Sequence, residues 1–179
     1  MPDRSALEDL FRRHGFEDFK WFPPKDTVVA HWVRMKCLFG CPDYGKGAAC
    51  PPNTPPVEDC ARFFQEYRRG VIFRFEKKVD APGDRHAWTR EINARLTALE
   101  REAFLSGNVK AFLLPMDSCL ICKECGGSRD KCKNPKMARP TPEAMAVDVF
   151  STVLRAGYPI EVLSDYDKAM NRYAFLLID

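Results

Sequence analysis

Three observations predict an α/β fold, with residues 1–179 forming a single domain. Apolar residues alternate along the chain between short β-rich runs and stretches of helical period, so strands and helices interleave. The composition, 45% apolar and 30% charged, is that of a globular chain able to bury one substantial core. No internal repeat and no interior linker divides it. The expected architecture is about five strands in one sheet, flanking helices and two cysteine-rich loops, at 37–60 and 116–140.

Ser5-Ala6-Leu7-Glu8 reads as a capping box opening a first helix, with Leu7, Leu10 and Phe11 as its apolar stripe and Gly15 as its stop. Pro23-Pro24 breaks the chain. Thr27–Met35 (TVVAHWVRM), rich in β-branched and aromatic residues, predicts a strand that places His31 in a sheet. A loop from Cys37 to Pro52 follows, punctuated by Gly40, Gly45, Gly47 and three prolines. Val57–Arg69 predicts a helix between Pro55-Pro56 and Gly70.

Val71–Val79 predicts a second strand, with Ala81–Asp84 as the turn after it. His86–Phe104 predicts the longest helix, with Trp88, Ile92, Leu96, Leu99 and Ala103 on one face and a Glu91–Arg95 pair on the other. Val109–Leu114 predicts a third strand, entering the second cysteine loop. Thr141 is expected to cap a helix that has Pro142 at its first position and runs to about Ala156. Short strands at Tyr158–Leu163 and Tyr173–Ile178 finish the chain, and Asp165 and Asp167 flank Tyr166 in a surface turn.

The cysteines carry the chemistry. Eight are present, and seven fall into two tight groups. Cys119, Cys122 and Cys125 stand at C-x2-C-x2-C, with Cys132 after six more residues. Thiols converging from so tight a loop suit a cubane iron–sulfur cluster, and Gly126-Gly127 allow backbone amides to approach sulfur. Four-thiolate zinc sites ordinarily use two separated C-x2-C knuckles, so zinc is the alternative.

The first group, Cys37-x3-Cys41-x8-Cys50-Pro51-Pro52, is looser. Cys60, ten residues on, is its candidate fourth ligand. Val57, Cys60, Phe64 and Tyr67 also form a helical core stripe, in which Cys60 would be a small hydrophobe. Two 4Fe–4S clusters are therefore expected, held by Cys37, Cys41, Cys50, Cys60, Cys119, Cys122, Cys125 and Cys132, with the pairing between clusters open. Each loop would follow a strand end, placing both sites on one sheet edge. The N-terminus of the Thr141 helix would turn its positive end toward the second cluster.

Other chemistry is weakly signalled. Gly40–Gly47 approaches a phosphate loop, but Gly47 stands where Ser or Thr must hold magnesium. The three histidines, His14, His31 and His86, are scattered. A net charge of +3 is too small to imply nucleic acid. Lys123, Arg129, Lys131, Lys133, Lys136 and Arg139 gather at the second cysteine loop, marking 123–139 as a docking face for an acidic redox partner. The N-terminus lacks an apolar signal core and no stretch is long enough to span a bilayer, so a cytoplasmic protein with reduced thiols is expected.

With both loops in view, the sequence resembles a family of small bacterial and archaeal proteins known only as predicted metal-binding proteins of unknown function. The matching residues are Cys37-x3-Cys41-x2-Tyr44-Gly45-Lys46 to Cys50-Pro51-Pro52, then Cys119-x2-Cys122-x2-Cys125-x6-Cys132-x2-Pro135, then Arg139-Pro140-Thr141-Pro142-Glu143-Ala144 and Val147-Asp148-Val149. Where this chain has Ala146, the family pattern has glycine. The resemblance implies metal binding and no particular reaction. Three functions follow in order: a two-cluster electron-transfer or accessory protein; an enzyme with an open cluster iron beside Cys37, Cys41 and Cys50, approached by Tyr44, Lys46 or His31; and a zinc-stapled interaction module.

Overall fold

The computed structural model describes residues 3–79, 81, 83–163 and 168–179. Pro82, in the turn expected at 81–84, and the turn expected at Asp165–Asp167 lie outside the described residues. Five α-helices surround one antiparallel sheet of four strands in the order β1-β2-β4-β3. The strands are β1 (Phe19–Phe22), β2 (Gly70–Lys77), β3 (Phe112–Leu114) and β4 (Met170–Leu177). The helices are α1 (Arg4–Arg13), α2 (His31–Gly40), α3 (Val57–Gln65), α4 (Asp84–Leu105) and α5 (Val149–Arg155).

The pairing of β2 with β4, from Gly70 opposite Leu177 to Lys77 opposite Met170, is the spine of the sheet. Side chains alternate across its faces. Val71, Phe73, Ala174 and Leu176 meet Leu7 and Phe11 of α1 and Leu96 and Leu99 of α4. Ile72, Tyr173, Phe175 and Leu177 meet Cys60 and Phe64 of α3 and Val153 of α5. The sheet is thus covered on both sides, which is why its central strands read as unbroken apolar runs. Fully buried Phe11, Phe64, Phe73 and Phe175 each contribute about 1.5–3 kcal/mol by leaving water.

Several expectations are corrected. Among the described residues there are four strands, not five: residues 158–163 form none, and β1, four residues of FKWF before the double proline, replaces the strand expected at Thr27–Met35. Only Val29 of that segment makes a β-bridge, to Val147, and the chain then turns into α2, so His31 starts a helix and lies 3.3 Å from Glu58. The β-branched pair Val28-Val29 takes the extended part; Trp32 and Met35 mimic a strand although exposed on α2, and Leu38 and Phe39, expected in the loop, are exposed at its end.

The first helix is capped by Asp3, which accepts from the Ser5 amide, while Glu8 accepts from Arg4 and from the Trp21 indole at 2.8 Å. Arg95 passes over the Phe16 ring and donates to the His14 carbonyl instead of pairing with Glu91. Thr141 starts only a single 3-10 turn, Glu143–Met145; α5 begins at Val149 under an Asp148 cap. The helix N-terminus expected beside the second cysteine loop is therefore not at Thr141.

Between that turn and α5, Ala146 sits at φ +58°, fully buried. The left-handed conformation costs an L-residue about 1–2 kcal/mol. Glycine would relieve that strain but would lose a buried methyl, about 0.8 kcal/mol, and gain unfolded-state entropy of similar size. Ala146→Gly is accordingly expected to be near neutral in urea denaturation. Ala146→Val, β-branched at positive φ with no spare volume, is expected to lower stability by about 3 kcal/mol or more.

Candidate metal centre

The second cysteine loop is held by the polar edge of α4. Asn93, 3% exposed, donates its amide to the carbonyls of Met116 and Ser118 and accepts from the Met116 amide at 3.2 Å. Thr89 donates to Asp117 at 2.7 Å, and Arg90 donates to the Leu120 carbonyl at 3.1 Å. These contacts hold two backbone positions in the left-handed region, Asp117 at φ +57° and Leu120 at φ +48°. Such strain persists only where the surroundings enforce it. The far end of the loop is braced by Arg139, whose guanidinium donates to buried Glu100 at 2.8 Å; Glu100 also accepts from the Leu113 amide.

The first loop packs directly on the second. The Ala48 amide donates to Cys125 Sγ at 3.3 Å, and the Asn53 side chain donates to the carbonyls of Gly47 and Gly127. Cys50 thereby lines the same cavity, about 270 Å³, as Cys119, Cys122, Cys125 and Cys132. The meeting comes from loop packing, not from a shared strand end. Cys37 belongs to α2, and the sheet is antiparallel, so the two loops leave different kinds of element.

Cys50 is the junction of the two groups. Burial, then the neighbouring thiols of Cys41, Cys37, Cys119 and Cys125, push its pKa up to about 11. Burial likewise raises Cys37 and Cys119. Cys125 behaves oppositely: amides of Ala48, Gly127 and Gly126 hold its thiol below the ordinary range. Asn134 donates to Cys122 Sγ at 3.1 Å. Amide donors aimed at sulfur favour the thiolate, which is the form that binds metal.

Cys60 stands apart. It is fully buried, and its sulfur neighbours are the Pro55 carbonyl at 3.5 Å, Arg34 at 3.9 Å and Met145 at 4.0 Å. Arg34 also donates to Thr54, Pro55 and Ala144, tying α2 to the start of α3 and to the turn at 143–145. Among the described residues, no three Cys, His, Asp or Glu side chains are gathered on a point as a single ion requires. The thiols instead rim a cavity, and soft thiolates of this kind suit zinc or iron–sulfur groups.

Of the six basic residues at the second loop, Lys123, Arg129, Lys131, Lys133 and Lys136 are exposed, whereas Arg139 turns inward to Glu100. Sequence reasoning missed Asn134, Ala48 and Asn53 as sulfur and loop supports. Asn134 lies two residues past Cys132, but its type alone carries no signal. Among the described residues no helix is long and apolar enough to cross a membrane.

A family model described as predicted metal-binding protein (DUF2284) matches residues 20–178. No curated protein and no solved structure matches the chain.

Proposed function

The chain belongs to the DUF2284 family of predicted metal-binding proteins, and from that premise we propose that it is an iron–sulfur protein binding two 4Fe–4S clusters and passing electrons to or from a redox enzyme. The observation that carries this reading is the cavity rimmed by Cys50, Cys119, Cys122, Cys125 and Cys132, with amides donating to Cys122 and Cys125. Cys119, Cys122, Cys125 and Cys132 would hold one cluster, and Cys37, Cys41 and Cys50 would hold the other. Bound clusters would supply one-electron transfer, at potentials set by the hydrogen bonds to sulfur and by exposure.

The protein's own part is to hold the thiols, shield Cys50 and Cys119, and present Lys123, Arg129, Lys131, Lys133 and Lys136 to an acidic partner. Anaerobic titration with a one-electron reductant is expected to take up about two electrons per chain, reversibly. A protein that takes up none would end the electron-transfer reading.

A second reading, an enzyme with one open iron, is favoured by a cavity of about 660 Å³ beside Cys37 and Cys41. It is walled by Asp117, Glu143 and Arg172 rather than by Tyr44, Lys46 or His31. Cys60 tests the ligand set of the first cluster under either reading. Its place in the core predicts that Cys60→Ala keeps its iron and loses about 1–2 kcal/mol of stability. Loss of iron would make Cys60 the fourth ligand of the first cluster.

A further inference from the structure

The cavity beside Cys37 and Cys41 has a chemistry separate from the thiols. One wall is apolar, built by Trp32, Val147, Phe150 and Tyr173; the other carries Lys36, Asp117, Glu143 and Arg172. Asp117 is already neutralised: it accepts from Thr89 and lies 3.4 Å from both Arg85 and Arg172. Arg172 makes no hydrogen bond among the described residues; its buried Nε faces only the Asp117 carboxylate, at 3.4 Å and outside hydrogen-bond geometry. Lys36 lies over the Trp32 ring at 5.0 Å and has no carboxylate partner among the described residues. Two cations and two carboxylates line the cavity, and Arg85, outside its lining, shares Asp117, so three cations stand against two carboxylates among the described residues. The excess is positive, and exposed Lys36 and part-paired Arg172 can both still donate.

We propose that this cavity is a binding site for a small organic carboxylate, an acid with an aliphatic or aromatic body. The carboxylate accepts from Arg172 and Lys36, as planar guanidinium and ammonium donors favour. The body lies against Trp32, Phe150 and Val147, and the cavity's size is that of ordinary small-molecule sites. Glu143, exposed where it lines the cavity, accepts from a second polar group of the ligand. The ligand would lie next to Cys37 and Cys41. The proposal does not require the metal to be iron.

Isothermal titration of the purified protein with benzoate and hexanoate, their uncharged amides and benzylammonium tests it. The acids are expected to bind about tenfold or more tightly than their amides, the difference of roughly one charge-assisted hydrogen bond. Arg172→Met is expected to bring the acids down to the level of the amides while leaving amide binding unchanged. Lys36→Met, at an exposed position that does not threaten folding, is expected to act in the same direction.

Acids that bind no better than amides, a preference for benzylammonium, or no binding of either acid would overturn the proposal. So would a Lys36→Met protein that keeps the full preference. A colourless protein that still prefers the acids would remove the cluster reading and leave this site standing.

Discussion

Replacing Cys50 by alanine is expected to strip more metal from the protein than replacing any other single cysteine of the first loop. Cys50 is the thiol that burial raises first and that Cys37 and Cys41 on one side and Cys119 and Cys125 on the other raise further. The backbone just before it braces the second loop, because the Ala48 amide donates to Cys125 Sγ. An added Cβ at Gly47 would already press on the Cys50 sulfur at 3.2 Å, so this corner has little slack. Iron is therefore expected to fall from about eight per chain to about four or fewer, with Cys41→Ala less severe. Cys41, exposed at the mouth of the first loop, has fewer dependents. Equal iron loss in the two variants would show that Cys50 serves the first group alone.

Gly126→Ala is expected to be the most damaging glycine substitution in the second loop. A Cβ there would overlap the Lys131 carbonyl oxygen and lie 2.8 Å from its carbon, both backbone atoms that no side-chain rotation can move. Overpacking of this kind costs about 1–3 kcal/mol, and here it falls on the turn that brings Cys132 back toward Cys125. The expected result is loss of metal from the second loop and faster proteolysis within residues 119–132, while the sheet stays intact. Gly127→Ala provides the contrast. Its position has φ +83° with only the Lys46 carbonyl near, at 3.8 Å, so it carries conformational strain of about 1–2 kcal/mol without a clash. Metal content should fall less in Gly127→Ala than in Gly126→Ala, and the reverse order would refute this account of the loop.

The cysteine spacing made metal binding legible before the fold was, in line with the family match. Helices α3 and α4 and strands β2 and β4 were also legible, because their apolar residues follow one period consistently and Gly70 and Gly107 lie just past the two helices. Helix α2 was not. Trp32, Met35, Leu38 and Phe39 are exposed, so the apolar pattern that usually reports burial reported something else. The 158–163 segment has strand-like residues but finds no partner at the sheet, whose edges are taken by β1 and β3. Cys60 sits on a true core stripe, and no spacing rule distinguishes such a thiol from a ligand. The carboxylate cavity was hidden for a different reason. Its residues come from 32–42, 116–117, 143–150, 160 and 171–173, and only the tertiary fold joins them.

The central claim, that these thiols hold two iron–sulfur clusters, is tested most directly by purifying the full chain anaerobically and measuring iron, acid-labile sulfide and zinc together with the visible spectrum. The account predicts a brown protein with broad absorbance near about 400 nm and about eight irons and eight sulfides per chain. A colourless protein carrying stoichiometric zinc and no sulfide would contradict it.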